Sequence, residues 1–334
     1  MAETNRQVHL ASRPKGWVSE ENFTLVEAAV PEPAEGQVLI RNHYASVDPY
    51  MRGGMNDVAS YRQPFALNAT MPGRTVGEVV ASRLDGYREG DFVFAMTGWA
   101  DYGLASDDGQ LRRIDPAQAP ISYHLGVLGM PGMTAYVGTY DLGEPKAGEQ
   151  FYVSAAAGAV GQVAGQLARI RGCRVIGSAG GPEKIAWLTG ELGFDGAFDH
   201  HAEDYTEALD RLMPDGIDVY FDNVGGAALD AVLARVNMNA RLVECGMVSQ
   251  YNLTTPDGIH NIANITRNRV RIQGFIVSDH ADRLDAFLDE VSGYLRDGQM
   301  HYAEDVVDGL ENTPAAFIGM LKGENTGKRV VKYV

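Results

Sequence analysis

Phe151-Tyr152-Val153-Ser154-Ala155-Ala156-Ala157-Gly158-Ala159-Val160-Gly161 is the stretch on which the reading of this chain turns. An apolar strand runs into a run of very small residues, and a helical period begins at Val160 and continues to Arg171. Against the pattern G-x-G-x-x-G, Ala156, Gly158 and Gly161 occupy the three glycine positions, with alanine at the first. Gly158 lets a backbone approach a pyrophosphate, and Gly161 lets the helix pack closely on the strand. Ala159 and Val160 complete a turn whose helix N-terminus offers free N–H groups to an anion.

Downstream, the alternation that this turn requires is present. Strands are predicted at Arg174–Ser178, Ala197–Asp199, Ile217–Asp222, Arg241–Cys245 and Ile272–Val277. Helices fall between them at 183–189, 203–213 and 227–236, and a closing helix covers 282–296. Six strands alternating with helices imply an α/β Rossmann fold, a doubly wound parallel sheet. Upstream, Gln37–Asn42, Val76–Ala81 and Asp91–Ala95 read as short strands punctuated by Pro31, Pro33, Gly36, Gly86 and Gly90, a mainly β domain. The expected boundaries are 1–124 for the β domain and 125–300 for the nucleotide domain. A tail at 301–334 is too short for its own core, and its strand 329–334 is expected to return to the first domain.

Composition removes other classes. The chain has 334 residues, 28 basic against 44 acidic, and a net charge of −16. No basic block offers the clustered cations that a nucleic-acid partner needs. The stretches 119–140 and 150–168 are uncharged but broken by proline, glycine and glutamine, so no membrane partner is expected. The first 14 residues lack a signal-peptide core, and two lone cysteines, Cys173 and Cys245, offer no disulfide framework; a cytoplasmic setting is expected.

The end of the second predicted strand bears on the cofactor. An NAD site places a carboxylate about 20 residues past the glycines. Here Gly177-Ser178-Ala179-Gly180-Gly181 carries none, and Lys184 follows within reach of a 2′-phosphate. Ser178 is read as an added hydroxyl donor. The cofactor is therefore expected to be NADP.

Further motifs extend across the chain: Asp48-Pro49-Tyr50-Met51-Arg52-Gly53, Leu128-Gly129-Met130-Pro131-Gly132-Met133-Thr134-Ala135-Tyr136, Phe221-Asp222-Asn223-Val224-Gly225-Gly226, Cys245-Gly246-Met247-Val248-Ser249-Gln250-Tyr251-Asn252 and the tail Gly319 to Lys328. In combination they resemble the zinc-independent medium-chain dehydrogenase/reductases that reduce alkenal and enone double bonds. That resemblance implies a groES-like β domain before the Rossmann domain, a homodimer, and NADPH-dependent reduction of an α,β-unsaturated carbonyl. It also implies no metal. Asp48-Pro49-Tyr50 stands in the loop where zinc relatives carry a cysteine, and Gly73-Arg74-Thr75 where they carry Gly-His-Glu.

By the same resemblance, cofactor contacts fall at Gly158 to Gly161, Lys184, His200, Asn223, Cys245, Gly246, Met247, Val248, Ser249, Gln250, Tyr251, Phe275, Ile276, Val277 and Asn325. His200 stands where many relatives have a tyrosine. Tyr251 is the expected catalytic donor to the developing enolate, with the cofactor ribose hydroxyl as the alternative donor. Tyr50, Met130 and Met247 are expected to line the substrate pocket. Two other functions share these features: a zinc-free quinone reductase, and a non-catalytic NADP-binding scaffold.

Overall fold

The computed structural model describes residues 4–58 and 60–334. The chain separates into two compact units, Met1–Gly126 with Glu304–Val334, and Val127–Ala303.

In the first unit, β1 (Thr4–Leu10) and β2 (Phe23–Ala29) form an antiparallel pair. The long strand β3 (Gln37–Ser46) is followed by a single helical turn, α1 (Met51–Gly54). Then come β4 (Thr75–Ser82), β5 (Phe92–Ala95), β6 (Tyr102–Ser106) and β7 (Arg112–Arg113). Buried Val38, Ile40, Val79 and Val93 fill one face of this sheet, as period-two strands require.

The second unit opens with α2 (Met130–Val137), which continues into one π-helical segment at Gly138–Gly143. The alternation follows: β8 (Gln150–Val153), α3 (Gly161–Ile170), β9 (Arg174–Ala179), α4 (Pro182–Gly190), β10 (Gly196–Asp199) and α5 (Tyr205–Leu212). It ends with β11 (Ile217–Asp222), α6 (Gly226–Leu233), β12 (Val236–Glu244), α7 (Ala263–Asn268), β13 (Arg271–Gly274) and α8 (Leu284–Arg296). The six strands are parallel in the order β10-β9-β8-β11-β12-β13. The strand order reverses between β8 and β11, which is where such sheets bind ligands. Phe151, Tyr152, Val175, Ile176, Val219 and Phe221 are fully buried, as a sheet covered on both faces demands.

The tail adds β14 (Glu304–Asp308), α9 (Thr313–Leu321) and β15 (Lys328–Lys332). β15 pairs antiparallel with β3, so the tail joins the first unit's sheet, ordered β14-β15-β3-β4-β5-β7 with β6 on β3. Three predicted boundaries shift. Asp204 caps α5 by accepting from the Thr206 N–H, so that helix starts later than residue 203. β12 reaches back to Val236, and β13 stops at Gly274, so Phe275 and Ile276 leave the sheet before the turn of 3-10 helix at Val277–Arg283.

Candidate active site

The glycine turn folds as its small residues require. Ala155 adopts a left-handed φ of 47°, and a Cβ on Gly161 would stand 2.4 Å from the Ala155 carbonyl oxygen. No side chain fits at Gly161, and α3 begins there directly on the end of β8. Alanine at the first motif position is accommodated from across the sheet. A Cβ on Gly177 of β9 would lie 2.7 Å from the Ala156 methyl, so the glycine has moved to the neighbouring strand. The cradle that a pyrophosphate needs is present in the backbone.

The 2′-phosphate end of the predicted site is built on Gly180, Gly181, Lys184, His200 and His201. The two imidazoles lie 4.2 Å apart, and a Cβ on Gly180 would meet His201 Nε2 at 2.6 Å. His200 also stacks on Tyr205 at 6.0 Å. Burial, with His201 alongside, pushes His200 below the ordinary histidine value. The expected role of Ser178 is corrected: its hydroxyl is fully buried and bonded to Tyr152 at 2.8 Å, inside the core. Strand parity turned it to the wrong face.

At the switch point two loops interlock. Asn223 donates to the Ser154 carbonyl at 2.8 Å and its N–H reaches the Ser154 hydroxyl at 3.0 Å, tying β11 to β8. Val248 and Ser249 donate through their N–H groups to the Asn223 and Val224 carbonyls, at 3.1 and 3.2 Å. Gly225, at φ 68°, leaves no room for a Cβ beside Met247. Asn223, Gly246, Met247, Val248, Ser249, Gln250 and Tyr251 thus form one platform. Tyr251 folds back over it: its hydroxyl accepts from the Met247 N–H at 3.3 Å. Met247 is exposed, whereas Met130 is half-buried on the first turn of α2. The Cys245 thiol is pushed up to about 12 by burial and by Asp222 and Glu244, so it is protonated at neutral pH. Phe275 packs beside Gly138.

Tyr50 and Asn325 belong to the first unit. Asn325 donates to the Gly327 carbonyl at 2.7 Å. Tyr50 is gripped by two guanidiniums: Arg74 donates to its hydroxyl at 2.9 Å, and Arg62 lies 4.1 Å over its ring. Burial pushes the phenol up, against the effect of Arg74. Arg62, Ser154 and Glu244 were not singled out from the sequence. The Asp48-Pro49-Tyr50 motif pointed to the loop but carried no signal for residues 12 and 24 positions away.

A parallel sheet with a glycine turn at its switch point, in a chain that also carries a mainly β unit, defines a nucleotide-dependent oxidoreductase. Two family models match: the N-terminal domain of oxidoreductase over residues 6–114, and zinc-binding dehydrogenase over residues 159–293. The chain belongs to the medium-chain dehydrogenase/reductase family, together with the curcumin and alkenal reductases. It is 47% identical to the NADPH-dependent curcumin reductase of Escherichia coli (strain K12), over 99% of this chain and 97% of that one. With the 2-alkenal reductase (NADP(+)-dependent) of Nicotiana tabacum it shares 42% identity, covering 99% and 98%. The crystal structure of CurA in complex with NADPH from Vibrio vulnificus superimposes with a TM-score of 0.94, at 45% identity over 98% and 99% of the two chains.

The second model's description names zinc, and the donor set does not fit that metal. Among the described residues no three His, Cys, Asp or Glu side chains stand together as ligands.

Proposed function

We propose that this chain is an NADPH-dependent reductase of the carbon–carbon double bond in α,β-unsaturated ketones and aldehydes, working without zinc. The observation that carries this reading is the joined platform of Asn223–Gly226 and Cys245–Tyr251 at the sheet's switch point, in a chain 47% identical to a curcumin reductase. Gly158 to Gly161 would hold the pyrophosphate, and Lys184 with His200 the 2′-phosphate. Phe275, Ile276, Val277 and Asn325 would complete the cofactor contacts. Bound NADPH supplies a hydride to the β carbon of the substrate.

Negative charge then develops on the substrate's carbonyl oxygen. Tyr251 is the donor assigned to it. A phenol that accepts from a backbone N–H has its own O–H polarised for donation. A donor of this kind contributes roughly two to three decades of rate. Cys245, held as a thiol, takes no nucleophilic part. Tyr50, Met130 and Met247 are assigned to substrate contacts, with Arg74 and Arg62 fixing the Tyr50 ring.

The test is loss of absorbance at 340 nm when purified protein meets NADPH and a panel of enones, alkenals and quinones. Turnover is expected with enones and alkenals, and Tyr251→Phe should lower it about a hundredfold or more while NADPH affinity holds. Quinone turnover alone would replace this reading with a quinone reductase. NADPH binding without turnover of any acceptor would leave a scaffold.

The active species is proposed to be a homodimer in a reducing cytoplasm. β13 is the outer strand of its sheet and is exposed along its whole length, with Ile272 on the open edge. Such an edge favours pairing with a second copy. The two cysteines are both free thiols. Light scattering should give twice the 36.1 kDa chain mass, and a monomeric mass would remove the dimer.

A further inference from the structure

At the ends of β11 and β12, Asp222 and Glu244 are register partners on adjacent parallel strands. Asp222 is fully buried. Its Oδ1 accepts from the Tyr220 hydroxyl at 2.7 Å, from the Val224 and Gly225 N–H groups at 2.8 Å each, and from the Ser154 hydroxyl at 3.2 Å. Its Oδ2 is buried and unserved, and so is Oε1 of Glu244. Two ionised carboxylates in such a place would repel and leave two oxygens without donors. One proton between them removes both penalties, because a carboxylic acid bonded to a carboxylate is a strong, charge-assisted pair. Asp222, with four donors on one oxygen, is the member stabilised as the anion. Glu244 has no such donors and keeps the proton.

We propose that Glu244 is a neutral positioning acid. Its carboxyl O–H donates to Asp222 and so locks the Asn223–Gly226 turn to the Cys245–Tyr251 loop beneath the cofactor. The Cys245 and Gly246 N–H groups both donate to the Asp222 carbonyl, at 2.9 and 3.1 Å. A change in Glu244 therefore reaches Cys245 and Gly246 directly. Burial and Asp222 together push the Glu244 carboxyl up to about 8.

The surroundings make this the group that titrates near pH 8. The other ionisable groups facing the pair are the Tyr220, Tyr152 and Tyr205 phenols and the Cys245 thiol, all raised by burial and neutral at that pH. From the far side β13 presents Gly274, which has no side chain, opposite Glu244. Among the described residues neither carboxyl makes an ion pair with Lys, Arg or His. When Glu244 ionises, a second negative charge arises beside Asp222 and under an anionic cofactor. His200 and a 2′-phosphate ionise below this range.

The experiment measures NADPH affinity of the whole protein by ligand fluorescence from pH 6.5 to 9.5, with a thermal melt of each variant. The wild type should lose affinity by up to about fivefold between pH 8 and pH 9. Glu244→Gln, which keeps a donor and removes the titration, should abolish that fall. Glu244→Ala, folded by its melt, should bind NADPH more weakly than the wild type at pH 6.5, where the wild-type acid is neutral, and should show no fall with pH. A fall that persists in Glu244→Gln, or wild-type affinity in Glu244→Ala at pH 6.5, overturns the proposal. No enone enters this measurement, so its failure is separate from any failure of the substrate assignment.

Discussion

Two buried aspartates, one in each unit, are handled in opposite ways. Asp48 in the first unit is 3% exposed and meets a cation: Lys328 Nζ donates to it at 2.9 Å and also to the Val47 carbonyl at 2.7 Å. The Ser46 hydroxyl adds a bond at 2.6 Å. Burial alone would raise its carboxyl, but Lys328, Arg74 and Ser46 outweigh that and hold it below the ordinary value. Asp222 in the second unit has no cation. Burial raises it, and backbone N–H groups and hydroxyls only limit the rise. The difference teaches how each unit keeps its loop in place. The first ties its tail to the Tyr50 loop with a full ion pair. The second ties two loops with hydrogen bonds and, by our proposal, one proton.

The comparison breaks hardest at Lys328. Lys328→Met leaves Asp48 buried and unpaired, and should cost about 3–5 kcal/mol in urea unfolding. Adding Asp48→Asn should recover much of that loss, because both charges are then gone. A single-variant loss below about 1 kcal/mol would mean that water reaches Asp48 and the pair is not what holds the loop.

A smaller effect sharpens the contrast through pH. The depressed Asp48 carboxyl contributes stability that is present above the ordinary aspartate value and is lost as pH falls through its folded value. The raised Glu244 carboxyl works in the other direction. Its contribution is fully present below the ordinary glutamate value and is lost as pH rises to about 8. Thermal melts should therefore show an acid limb flattened in Asp48→Asn and a separate limb, running from the ordinary glutamate value up to about pH 8, flattened in Glu244→Gln. Melts in which each variant altered the other's limb would contradict the assignment of these two carboxyls.

Much of the second unit could be read in the chain because its signals are local. A strand, a run of small residues and a helical period lie consecutively from Phe151 to Arg171, and the alternation after them repeats within short windows. Ser178 was misread for a physical reason. A strand's parity sets which face each side chain takes, and the expected orientation was the wrong one of two. The end of β13 was also misplaced, because apolar residues run on past the last paired position at Gly274.

By itself the sequence determined the fold class, the glycine turn with its missing carboxylate at the second strand, and the loops that carry Tyr50 and Tyr251. Covalent neighbours and side-chain periodicity are enough for those. Only the tertiary structure decided that Gly177 makes room for Ala156, that Arg74 and Arg62 grip Tyr50, and that Lys328 neutralises Asp48 from 280 positions away. It alone set Asp222 against Glu244, 22 positions apart in the chain and opposite each other in the sheet. The energy of a buried charge depends on what surrounds it in space, and nothing in chain order specifies those neighbours.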